Sequence, residues 1–173
     1  MTPDAAAPVP IGAGTPLKYL PKAIRVPEHP VRAILVGWLL AFPISIALSV
    51  VAASLFPEAS PPSFKVDGFV TLFGLVVFAP VAETLIMGGV LLVLLLFLPP
   101  AAAVIVSAAG WGIAHSLMTP IWGLVIWWPF VIFSTLFVTW RTRSYWLAFA
   151  VPAATHALQN LIPALLIVQG VNI

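Results

Sequence analysis

Residues 78–98 read FAPVAETLIMGGVLLVLLLFL. The run matches the roughly 20 apolar residues that a helix needs to cross a bilayer. It holds one ionisable side chain, Glu83, with no basic residue near it in sequence. A charged Asp, Lys or Arg in such a segment costs roughly 2.5–3.5 kcal/mol on insertion scales, so ionisable groups there face a protein interior and usually serve a function. The stretch therefore predicts a membrane helix and a site on that helix together.

Composition extends the first prediction to the whole chain. Of 173 residues, 62% are hydrophobic and 7% charged, with a mean hydropathy of +1.14. Soluble domains carry about 25% charged residues, so the expected fold class is an all-α integral membrane protein. Five spans are expected, at 31–56, 68–98, 100–118, 120–140 and 145–169. Phe56-Pro57, Pro99-Pro100, Thr119-Pro120 and Arg141-Thr142-Arg143-Ser144 supply the turn chemistry between them. The second stretch exceeds what a bilayer requires, which predicts tilt, protrusion or a break near Pro80.

Residues 1–30 are polar and rich in proline, without the apolar core of a signal peptide, and are read as a flexible tail on the cytoplasmic face. Residues 31–173 form the membrane domain. Lys18, Lys22, Arg25 and Arg32 make a basic collar, and with five spans it falls on the same side as Arg141 and Arg143. Only Lys65 lies opposite, beside Glu58 and Asp67. The positive-inside rule then predicts an inner-membrane protein with a cytoplasmic N-terminus and Ile173 outside. The absence of cysteine excludes disulfides, thiol nucleophiles and thiolate-bound metals. A net charge of +2 without a basic aromatic patch excludes nucleic acid as a partner and leaves membrane lipid.

Two further spans each carry a histidine, His115 in SAAGWGIAHSL and His156 in PAATHALQNLIP. His156 and Asn160 are four apart and share a helix face, as do Ser107, Trp111, His115 and Thr119. Taken singly, each group has a packing explanation: intramembrane Asn and Gln join helices at about 0.6 kcal/mol, and a buried Glu can stay protonated. IWGLVIWWPF, residues 121–130, reads as an interfacial belt with lipid-facing packing. Together, a glutamate, two histidines and an asparagine on three helices point to one shared polar cavity, with its members in direct or one-water reach.

These residues resemble the CAAX-protease and bacteriocin-processing (Abi) family of intramembrane proteases over roughly residues 69–169. PVAETLIMGG resembles the first motif, EExxxR. WGIAH resembles the second, FxxxH, with Trp111 at the aromatic position, and HALQN matches the third, HxxxN, at His156 and Asn160. The resemblance implies that Glu83 and His115 activate a water while His156 and Asn160 stabilise an oxyanion, acting on a peptide or membrane-protein substrate. It implies no obligatory cofactor. A divalent metal such as zinc is the alternative, with Glu83, His115 and His156 as the ligand set. The chain departs from the first motif twice, with Thr84 in place of the second glutamate and Gly88 in place of the arginine. If that pair only tunes the site, Thr84→Glu with Gly88→Arg is expected to raise activity. The competing readings are an inactive family member serving as scaffold or immunity protein, and a small transporter with Glu83 and His156 as a proton relay.

Overall fold

The computed structural model describes residues 10–59 and 68–170. Among them the chain is helical with no strand. A single 3₁₀ turn, Pro16–Tyr19, and the short α1, Lys22–Arg25, precede the bundle. The bundle comprises α2 (Pro30–Leu55), α3 (Gly68–Phe73) running through a π-helical turn (Gly74–Phe78) into α4 (Ala79–Leu94), α5 (Pro100–Ser116), α6 (Trp122–Arg141) and α7 (Tyr145–Val168).

Proline and serine set the boundaries. Pro30 and Pro100 occupy first-turn positions, where their missing N–H removes no helical bond. Ser144 caps α7 by accepting from the Leu147 amide. The regular hydrogen-bond ladder of the long second stretch does break near Pro80, while the helix itself continues. Proline brings no N–H to the ladder, and just before it the Ala79 amide reaches back five residues to the Gly74 carbonyl.

Among the described residues four helices are long and apolar enough to cross a membrane: α2, α3–α4 taken together, α6 and α7. The fifth expected span is shorter. α5 has 17 residues, which extend about 25 Å at 1.5 Å per residue and fall short of a hydrocarbon core of about 30 Å. Helix α6 is the hub, packing against α5, α7 and α2. Its residues Pro129 to Trp140 are buried without a break. The expectation of a lipid-facing belt at 121–130 is thereby corrected at Pro129 and Phe130, while Leu124 stays exposed. Trp127 is exposed, but Phe130 is fully buried, and Trp128 donates from Nε1 to the Leu40 carbonyl of α2 at 2.9 Å. The Trp–Trp–Pro–Phe run is apolar in the same way as a lipid-facing one, because membrane interiors and lipid select the same side chains.

The segment expected as a flexible tail is folded from residue 10 onward; residues 1–9 lie outside the described residues. Leu17 and Ile24 are buried against the bundle. Arg25, also buried, donates from Nε to the Leu20 carbonyl at 2.7 Å and from Nη1 to the Ile11 carbonyl at 3.3 Å. From the α6–α7 turn, Arg143 Nη1 donates to the carbonyls of Pro27 and Glu28 at 2.8 and 2.9 Å. The turn therefore sits at the start of α2. Lys18, Lys22, Arg25, Arg32, Arg141 and Arg143, which are all the Lys and Arg among the described residues, gather at this end of the bundle. Lys65, Asp67 and Ile173, expected at the other end, lie outside the described residues.

Helices α5 and α6 meet at Gly112 and Gly123. A Cβ on Gly123 would run into the Gly112 carbonyl oxygen and Ser116 Oγ, so the crossing closes only with hydrogen at that position. Gly123→Ala is expected to cost about 1–3 kcal/mol through overpacking, read as a lowered Tm in detergent.

Candidate functional site

Glu83, His115, His156 and Asn160 all line one cavity of about 470 Å³ between the helices. Its walls are mostly apolar, whereas a polar cavity is what the sequence leads one to expect. α4 supplies Glu83 one turn after the π-helical break, the last turn of α5 supplies His115, and α7 supplies His156 and Asn160 on one face.

Glu83 Oε2 lies 4.0 Å from His156 Nε2, with the Glu83 side chain 26% exposed. That separation exceeds a hydrogen bond, and one water can span it with ordinary donor–acceptor distances of about 2.8 Å. The His156 ring stacks on Phe133, centroids 4.7 Å apart, and meets Phe130 edge-on at 5.7 Å. Packing of this kind fixes the imidazole plane.

The two histidines have opposite hydrogen-bonding states. His115 Nδ1 lies 2.9 Å from the Trp111 carbonyl one turn earlier. A carbonyl only accepts, so Nδ1 carries the proton and Nε2 keeps a lone pair. Trp111 itself stacks on Phe130, centroids 4.4 Å apart, and Trp122 meets the His115 ring edge-on at 4.9 Å. At His156 the buried Nδ1 has no hydrogen-bond partner, while Nε2 faces the Glu83 carboxylate. A proton on Nε2 serves the carboxylate and avoids leaving a donor buried without an acceptor. His115 is thus an acceptor towards the cavity and His156 a donor.

Asn160 reaches across to the break in the second helix. Its Nδ2 donates to the Leu75 carbonyl at 2.9 Å. In the π register the donor to Leu75 would come from residue 80, which is proline, and the Ala79 amide is committed to Gly74. Asn160 therefore occupies an acceptor that Pro80 vacates, and it keeps a second amide hydrogen. Two neighbours are not singled out by the motifs. Ser45 Oγ and Gln159 Oε1 are buried without partners, and both residues line the cavity. The pair Ser45 and Ser49, four apart in an apolar span, is the sequence signal for the first.

Among the described residues no group of three His, Asp or Glu side chains comes close enough to hold one ion, and this includes Glu83, His115 and His156. The Phe130 ring centroid stands 5.7 Å from both imidazoles.

The two departures from the first motif face the bundle interior. Thr84 is buried and its hydroxyl makes no hydrogen bond. A Cβ on Gly88 would collide with the Phe149 ring and lie 2.7 Å from Phe137 Cε2. No arginine enters that space without displacing two aromatic rings. This overturns the expectation that Thr84→Glu with Gly88→Arg raises activity. Gly88→Arg is expected to destabilise the chain by about 3 kcal/mol or more, read as loss of monodisperse protein or a lowered Tm, whichever residue stands at 84.

No curated protein and no solved structure matches the chain. Residues 65–162, more than half of its length, match the family described as type II CAAX prenyl endopeptidase Rce1-like, and the chain belongs to that family.

Proposed function

We propose that the chain is an intramembrane endopeptidase that hydrolyses a peptide bond with a water activated by Glu83. The observation that carries this reading is one carboxylate set in a single cavity with two histidines in opposite roles, acceptor at His115 and donor at His156. The water gives a proton to Glu83 and a hydrogen bond to His115 Nε2 as its oxygen attacks the scissile carbonyl carbon. The carbonyl electron pair moves to oxygen, where His156 Nε2–H and the second amide hydrogen of Asn160 stabilise it. When the tetrahedral intermediate collapses, the C–N bond breaks and the proton held by Glu83 passes to the leaving amine. No step requires a metal.

The chain is proposed to lie in the cell inner membrane with its N-terminus cytoplasmic. The gathering of six Lys and Arg at one end of the bundle supports this orientation. The folded segment from residue 10 to 29 then caps the cytoplasmic face.

An inactive family member acting as a scaffold is the second reading, favoured by the closed packing around Thr84 and Gly88. The transporter reading is disfavoured because, among the described residues, none that lines this cavity belongs to the basic end.

Glu83→Gln is expected to abolish cleavage while leaving the Tm unchanged, since the amide keeps the shape and cannot take a proton. His115→Ala is expected to be comparably severe. Asn160→Ala is expected to lose about 10²–10³ in kcat as one oxyanion donor is removed, and also to lower the Tm because the Leu75 carbonyl loses its donor. Turnover that persists in a chelator such as 1,10-phenanthroline is expected of the metal-free route. A cellular phenotype that survives Glu83→Gln but not deletion would establish the scaffold reading in its place.

A further inference from the structure

Among the described residues the cavity extends towards one end of the bundle only. From the Glu83–His156 pair it runs past Ser49, Ala53 and Phe56 of α2 to Ile121 and Trp122 at the α5–α6 connection and Ile167 near the end of α7. These residues mark the end of the bundle away from Arg143 and the α1 segment. Towards the basic end the inner wall is solid, for Met87, Leu91, Ile132, Leu136 and Phe137 are fully buried. No lining residue comes from residues 10–29, from the α4–α5 connection or from the α6–α7 turn. α2 packs on α6 and α7 and makes no comparable interface with α4, so the cavity is a slot between α2 and α4 with α6 and α7 as its back wall.

We infer that the catalytic cavity is loaded from the extracytoplasmic face, and that its substrate is an apolar polypeptide segment presented on that side of the membrane. The inference rests on the peptidase reading and on the orientation proposed above. The basic end faces the cytoplasm, so the mouth faces away from it. The slot is lined mainly by alanines and aromatic rings, with the hydroxyls of Ser45 and Ser49 as uncharged polar groups along α2. Such a lining accepts an extended apolar segment and gives a free charge no partner until it reaches Glu83. A cytoplasmic peptide would have to pass the fully buried layer that contains Leu136 and Phe137.

The natural absence of cysteine permits a direct test, because each introduced thiol is the only one in the chain. Single variants Ser49→Cys, Phe56→Cys and Ile121→Cys report on the slot and its mouth. Lys22→Cys and Thr142→Cys report on the basic end. Intact bacterial cells expressing each variant are treated with a small membrane-impermeant methanethiosulfonate, before and after permeabilisation. The slot variants are expected to react in intact cells, and the basic-end variants only after permeabilisation. The reverse pattern overturns the inference, as does a slot closed to the reagent from both faces. None of these positions belongs to the catalytic group, so the labelling reads the side of access whether or not peptides are cleaved. Failure of the peptidase reading would instead appear in the Glu83→Gln assay, with the labelling pattern unchanged. Modification of Ser49→Cys from outside is further expected to block cleavage of a substrate. Full turnover with that thiol modified would overturn the slot as the substrate path.

Discussion

The hydrogen bond from Asn160 to the Leu75 carbonyl holds the site together. A break in a membrane helix leaves carbonyls without donors, and in hydrocarbon each unsatisfied backbone group costs several kcal/mol. Pro80 causes such a break, and the amide that repairs it comes from a different helix. The repair fixes α7 against the second span one turn after His156 and two turns before Glu83. The 4.0 Å approach of imidazole and carboxylate follows from that pinning. Asn160 therefore holds the structure with one amide hydrogen and keeps the other for the oxyanion role proposed for it.

The residues that line the candidate site were legible because they are rare. In a chain with 7% charged residues, a lone glutamate and two histidines inside apolar runs stand out, and the helical spacing of His156 and Asn160 gives their common face. The helix ends were legible at the prolines and at Ser144. The burial of α6 was not, since a protein interior and a lipid tail favour the same residues and Trp-rich apolar sequence fits both. The fold of residues 10–29 was hidden for a different reason. Its order depends on Arg25 and Arg143 bonding to distant carbonyls, and local composition, dominated by proline, shows only what is absent from it. The 4.0 Å separation and the tautomers could come only from the folded chain.

Relative to the first motif of its family, the chain has exchanged polar contacts for packing. A glutamate and an arginine one turn apart would place two charges beside Glu83. Here Thr84 and Gly88 take those places, and Phe137 and Phe149 fill the volume a long side chain would need. The substitutions and the phenylalanines are mutually dependent. Glu83 is left as the one carboxylate in the spans, with the two histidines as its polar neighbours.

The bonds from Arg143 to Pro27 and Glu28 join positions 116 and 115 residues apart. Their length in sequence imposes an order on biosynthesis. Residues 10–29 leave the ribosome before α6 and α7, yet their acceptors meet their donor only after the α6–α7 hairpin has entered the membrane. Until then Leu17 and Ile24 have no helix ends to cover and Arg25 has no buried place to occupy. A segment made before the hairpin settles after it, and its docking marks a bundle in which α6 and α7 are already in place.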